Sequence, residues 1–232
     1  MNYDPTNTGS SFGSFQAAEQ SFITKVFNWM FLGLAATGVV AYLVSTNETI
    51  LKVIYGNMFI LIALMLGLLA MVWNMSANIT KMSPQAAATN FFIYAALNGV
   101  LLSSIFIVYT GSSIFSAFFT TAATFGAMAL YGATTKKDLT GIGSIAFMAL
   151  IGLIIAQVVN MFLHNSGMTA IINYAGVLIF VALTAYDVQK IKRIGESGNY
   201  HTNLTITGAL ALYLDFINLF LFILRIMGNR RN

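Results

Sequence analysis

Residues 205–228 read TITGALALYLDFINLFLFILRIMG. A helix rising about 1.5 Å per residue crosses a hydrocarbon core about 30 Å thick in roughly 20 apolar residues. This run is 24 residues long and carries one acid, Asp215, near its middle. An ionised Asp at the centre of a span costs about 2.5–3.5 kcal/mol on insertion scales. Asp215 therefore has to face protein or water, and be paired, protonated or bound to an ion.

The rest of the chain agrees with a membrane setting. It has 232 residues, 58% hydrophobic and 8% charged, with mean hydropathy +0.79. A soluble domain carries about 25% charged residues, so there is too little polar surface here to cover a globule in water. Cysteine is absent, which excludes disulfides and thiolate metal sites. His164 and His201 lie outside the apolar runs, which argues against a buried histidine metal cluster. The net charge of +4 sits in short loops and is not a nucleic-acid footprint.

Seven runs are long and apolar enough to span, near 24–45, 55–76, 86–109, 113–133, 143–163, 168–188 and 205–228. They are continuously apolar rather than alternating, which selects helices over a barrel. The expectation is an all-α integral membrane protein, a seven-helix bundle over 21–232, preceded by a polar mobile arm over 1–20 with no cleavable signal. The connections are short; the longest expected loop is QKIKRIGESGNYHTN, 189–203. None can hold a soluble catalytic domain.

Lys and Arg placement sets the expected orientation. With the N-terminus in the cytoplasm, Lys25, Lys81, Lys136, Lys137, Lys190, Lys192 and Arg193 fall inside and Lys52 outside; Arg225, Arg230 and Arg231 fall outside if the last run crosses fully, as its 24 apolar-rich residues favour, and inside if it is re-entrant.

Five of the seven acids, Asp4, Glu19, Glu48, Asp138 and Glu196, read as solvated arm or loop charges. Asp187 ends the apolar run AGVLIFVALTAYD, 175–187, and Asp215 lies inside another. On the last span Gly208, Ala211, Asp215, Asn218, Phe222 and Arg225 recur at three or four residues and share a face. Leu212, Phe216, Leu219 and Ile223 would then face lipid. On the sixth span Asn173, Gly176, Phe180, Leu183, Thr184 and Asp187 form a comparable face. Consecutive antiparallel spans are natural neighbours, so Asp187 and Asp215 are expected to meet. Two close carboxylates do not both ionise cheaply and titrate as a unit. They are also hard oxygen donors suited to Ca²⁺. The alternative is structural: each Asp hydrogen-bonded, with Asp187 paired to Lys190 and Asp215 served by Tyr213 or Asn218. Asn74, Asn98, Gln157, Asn160 and Asn218 read as interhelical hydrogen-bonding groups.

The segments FFIYAALNGVLLSSIFIVYTGSSI (91–114), FGAMALYGATTKKDL (125–139), LIGLIIAQVVNMFL (150–163), LIFVALTAYDVQKIK (178–192) and ALALYLDFINLFLFILRIMG (209–228) resemble, in order, the Bax inhibitor-1 family, also called the transmembrane Bax inhibitor motif family, and most resemble a bacterial member. The resemblance covers the chain beyond its first twenty residues. It implies a seven-helix fold with the last helix central, and a pH-sensitive Ca²⁺ leak sensed by an aspartate pair that falls on Asp187 and Asp215. Thr184, Tyr213, Asn218 and Arg225 are the expected supports of that site. Some relatives hold the pair with an arginine at the inner end of helix two. Here that stretch is MVWNMSANITKMSP, 71–84, without arginine, leaving Lys81, Asn74 or Asn78 as substitutes. Lysine lacks the planar fork of arginine.

Three functions compete. The first is a cation leak channel gated by protonation of the pair, with protons, Ca²⁺ and membrane lipid as partners and no cofactor. The second is a membrane scaffold, since the family is linked to cell-death control and, in bacteria, to a membrane-bound protease. The third is a proton-coupled transporter of a small solute. An enzyme is not expected, for want of a nucleophile–base set, an HExxH or a GxGD motif. The resemblance implies the bacterial inner membrane.

Overall fold

A computed structural model describes residues 7–78, 81–198 and 202–231, with side chains from Gln20 onward. Among the described residues the chain is all helix, apart from one isolated antiparallel bridge between Tyr109 and Arg230. The helices are α1 (Asn7–Ser45), α2 (Glu48–Tyr55), α3 (Met58–Asn78), α4 (Pro84–Leu102), α5 (Ile105–Val108), α6 (Gly111–Thr134), α7 (Thr140–Leu163), α8 (Ser166–Glu196) and α9 (Thr202–Met227). Seven stretches are long and apolar enough to cross a membrane: Gln20–Ser45 within α1, then α3, Pro84–Val108 across α4 and α5, α6, α7, α8 and α9. The expected arm, 1–20, falls on the start of α1 and on residues 1–6, which lie outside the described residues.

The last helix is the hub. α1, α4, α6 and α8 all pack against α9, while α7 packs chiefly on α8, and α3 on α4 and α2. The most apolar part of α9 is 61% buried within the protein, against 11% for α3 and 17% for α7. This corrects the expected lipid face of α9: Leu212, Phe216, Leu219 and Ile223 are all buried. Phe216 meets the rings of Phe118 and Phe125 on α6. A polar stripe predicts an apolar lipid face only for a helix at the rim; a helix enclosed by neighbours is buried all round.

Close approach sets the inter-helix distances. Gly132 of α6 lies on the backbone of Ala185 in α8, where a Cβ would collide with the Ala185 carbonyl. Gly99 of α4 approaches the backbone of Thr37 in α1 in the same way. Small residues at crossings are how membrane helices gain packing without a hydrophobic driving force between them.

Two departures from the expected spans have local causes. The third span breaks at Ser103–Ser104, between α4 and α5. There the Tyr55 hydroxyl, at the end of α2, donates to Leu101 O at 2.7 Å and accepts the Ser104 N–H at 3.2 Å. A side chain inserted into the backbone ladder is a recognised cause of a helix break. The loop expected over 189–203 is helical as far as Glu196, because Val188 and Ile191 continue the buried face of α8. The helix ends past Gly195 and Ser197, where Gly198 takes the left-handed φ of 68°.

Candidate functional site

The polar stripe of α9 and the small-residue face of α8 lie against each other. Gly176 of α8 receives the ring of Phe222, which also stacks on Phe180 with centroids 5.9 Å apart. At the other end Ile191 packs on Gly208. Positions advance along α8 as they recede along α9, so the two helices pack antiparallel, with Asp187 towards the Ile191–Gly208 end of the contact and Asp215 midway along it. The Asp187 charge acts on the Asp215 carboxyl. Among the described residues no hydrogen bond joins the two side chains.

Their surroundings differ. Asp215 is 4% exposed and its Oδ2 is enclosed without a hydrogen-bond partner. Asp187 is half-buried, and the charge of Lys190 reaches it without forming an ion pair among the described residues. No group of three or more His, Cys, Asp or Glu converges among the described residues. A Ca²⁺ ion takes six to eight oxygens, roughly, so the two carboxylates alone do not complete a resident Ca²⁺ site.

The other expected site residues are scattered. Thr184 is buried and donates to Phe180 O at 2.7 Å, and Asn218 donates to Leu214 O at 2.8 Å, so both bond back to their own helices. Tyr213 is two residues from Asp215, about 200° around a helix at 3.6 residues per turn, and its phenol faces Thr37 of α1 and Asn98 of α4. Arg225 lies ten residues beyond Asp215, about 15 Å along the axis, at the opposite end of the bundle from Lys190. Asn74 is exposed and lines a cavity of about 280 Å³ with Met71, Met75 and Asn90, between α3 and α4. Lys81 is exposed and Asn78 half-buried. None of these three has a hydrogen bond or ion pair to either aspartate among the described residues, where α3 packs on α4 and α2.

One polar cluster close to Asp187 was not foreseen. Gln189 is buried; its Oε1 accepts the Leu139 N–H at 2.8 Å and an Arg193 N–H at 3.0 Å, and its Nε2 donates to Lys137 O at 2.7 Å. Arg193 also pairs with Asp138 at 2.8 Å, and Lys192 donates to Ala133 O at 2.9 Å. These bonds pin the loop between α6 and α7 onto α8. In sequence, the cluster looked like a topology signal; the available hint was a glutamine among basic residues one turn past the last apolar stretch.

Residues 19–232 match the family model described as inhibitor of apoptosis-promoting Bax1. The chain belongs to this family. It is 47% identical over 221 residues to the inner membrane protein YbhL of Escherichia coli, covering 93% of this chain and 94% of that protein. An uncharacterized protein of Borreliella burgdorferi is 44% identical over 218 residues, covering 92% of this chain and 94% of the relative. One from Rickettsia prowazekii is 39% identical over 236 positions, the whole of both chains. The architecture expected from the resemblance, a seven-span bundle around a central last helix, is the one this chain adopts. The chain is an integral, multi-pass membrane protein.

Proposed function

We propose that this protein is a cation leak path for Ca²⁺, opened and closed by the protonation of Asp187 and Asp215. The observation that carries the reading is the Asp215 carboxylate, buried in the central helix with no hydrogen-bond partner for its Oδ2 among the described residues, on a helix packed against the one that carries Asp187. A buried carboxylate must be neutralised or paired. Of the helices around α9, α4 and α6 contain no charged residue at all. α1 carries Glu19 and the exposed Lys25, and α8 carries Lys190 beside Asp187 and, farther along, Lys192 and Arg193, which pair with Glu196 and Asp138. No fixed cation is bonded to Asp215, which leaves a proton or a passing cation to compensate it.

The chemistry follows from that competition. Protonation of one or both carboxyls removes the charge that would otherwise push α8 and α9 apart. Deprotonation leaves two like charges, which separate or take up a divalent cation. Two hard oxygen donors and no third acid bind such an ion weakly enough to release it, as conduction requires. The family's association with calcium regulation supports Ca²⁺ as the ion. The similarity to an inner membrane protein supports a bacterial inner-membrane location, and the excess of Lys and Arg in one set of loops supports a cytoplasmic N-terminus.

The test is Ca²⁺ flux into liposomes holding the purified protein, between about pH 5 and 8, beside Asp187→Asn and Asp215→Asn. The expected result is a pH-dependent flux that becomes independent of pH in either variant. Flux no greater than in protein-free liposomes at every pH would overturn the channel reading and leave the scaffold, whose activity Asp→Asn changes should spare.

A further inference from the structure

At the end of the bundle away from the aspartates, α7, α8, α9, Tyr109 and the tail line an open cleft of about 390 Å³. Ligand pockets run from about 300 to 1,000 Å³, so it is large enough for a small polar group. Its charged lining is cationic only: Arg225 from the last turn of α9 and Arg230 from the tail. The tail is fixed there. Thr110 N–H donates to Asn229 O, Asn229 N–H donates to the Ser113 hydroxyl, and Arg231 N–H donates to Val108 O at 2.9 Å. Gly228 lets the chain pass against the ring of Tyr109, which forms another part of the wall.

Neither arginine has an acid. The ion pairs among the described residues are Lys52–Glu48, Lys192–Glu196 and Arg193–Asp138. The guanidinium of Arg225 stands 5.4 Å from the Phe222 ring centroid. A ring face and a helix C-terminus suit one cation, and the exposed guanidinium of Arg225 makes no hydrogen bond to protein among the described residues, so its N–H donors are free to meet a ligand in the cleft. The amides around it are also idle. Asn173 is 7% exposed and Gln157 half-buried, and neither side chain has a hydrogen bond to protein among the described residues. Asn160, by contrast, is fully employed: it donates to Thr169 at 2.8 Å and accepts the Asn165 N–H at 3.1 Å. It holds the α7–α8 turn as a fixed wall.

We infer that this cleft binds an anionic phosphate group, with Arg225 and Arg230 on the phosphate oxygens and Asn173 and Gln157 on hydroxyls or ester oxygens beside it. Paired guanidinium donors match phosphate geometry, and amides both donate and accept. Met161 lines the mouth and is 63% exposed, next to Phe162 and Leu163, whose apolar side chains stand outward. Acyl chains would lie against that rim, which favours a glycerol-phosphate lipid headgroup as the source over free phosphate. The site is independent of the aspartates.

Native mass spectrometry of the full chain in neutral detergent, titrated with phosphatidylglycerol, phosphatidylcholine or inorganic phosphate, tests this. Phosphatidylglycerol should bind in preference to phosphatidylcholine, and the Arg225→Gln/Arg230→Gln double variant should lose about tenfold or more in affinity, as expected for charge-assisted contacts. Gln157→Glu, which leaves both arginines in place and adds a negative charge to the wall, should weaken binding too, and serves if the double variant does not fold. Asp215→Asn should bind lipid as the unaltered chain does. Inorganic phosphate binding that both variants lose, with no lipid preference, supports the same site with a free anion as its source. Equal retention of the two lipids without phosphate binding, or affinity unchanged in both variants, would overturn it.

Discussion

The Tyr213 phenol of α9 donates to the Thr37 hydroxyl of α1 at 2.6 Å. Thr37 has one hydroxyl proton and gives it to Ala95 O of α4 at 2.9 Å, while Asn98 Nδ2 donates to the phenol oxygen at 2.9 Å. That fixes every proton in the chain of bonds. Three helices are tied at one fully buried point, since Tyr213 is 0% and Thr37 3% exposed.

Tyr213→Phe leaves the Asn98 donor and the Thr37 acceptor unsatisfied together. The expected loss is about 1–3 kcal/mol in unfolding from mixed micelles, the usual penalty for orphaned buried groups. The double-mutant cycle with Thr37→Val should show coupling near 0.6 kcal/mol, roughly the average for membrane side-chain bonds. Strict additivity of the two changes would mean that the bond does not hold the helices.

Gly132 and Gly126 share α6 but not their surroundings. A Cβ at Gly132 meets the backbone of Ala185, which cannot yield without moving α8, whereas a Cβ at Gly126 meets nothing within 4 Å. Gly132→Ala should lower stability by about 1–3 kcal/mol, as overpacking does. Gly126→Ala should be neutral or raise it by about 0.5–1 kcal/mol through helix propensity. Thermal unfolding in detergent separates the two; equal effects would contradict the close α6–α8 crossing.

What the sequence disclosed follows from how each feature is encoded. Spans are encoded by length and apolarity, and all seven could be read directly. The packing of α8 on α9 was expected from their adjacency in sequence, and Asp215 stood out through its isolation in an apolar run. The surroundings of α9 were not legible, because periodicity records where polar groups lie and not how many neighbours a helix has. The break at Ser103–Ser104 depends on Tyr55, almost fifty positions away, and α2 lies between spans where hydropathy gives no signal. Gln189 was hidden for the same reason: its partners, Lys137 and Leu139, belong to another hairpin.

Gln189→Leu removes the acceptor of a buried amide and the donor to Lys137 O in one change. The loop ahead of α7 should come free of α8. Hydrogen exchange at the Leu139 amide should accelerate, and trypsin should cut at Lys136 or Lys137 faster than in the unaltered protein. Gln189→Glu keeps the acceptor for Leu139 and Arg193, so it should protect the Leu139 amide better than leucine does. Unchanged exchange in the leucine variant would show that the loop is held by something else.

Asp138 belongs to this clamp, and its pH behaviour distinguishes the clamp from the proposed gate. Bonds from the Thr140 hydroxyl and backbone N–H, and then from Arg193, hold its carboxyl well below the usual carboxylate range. A folded-state value lower than the unfolded one, about 3.9, means that its contribution is fully present above the unfolded value and is lost only as pH falls towards the folded value. Across about pH 5 to 8 the contribution is therefore constant. Asp138→Asn should lower the melting temperature in detergent by the same amount throughout that range and leave the pH midpoint of Ca²⁺ flux unmoved. Asp187→Asn, two residues from Gln189, should abolish the midpoint if the proposed pair is the gate. A midpoint that moves in Asp138→Asn would make the loop clamp, rather than the two intramembrane acids, the element that senses protons.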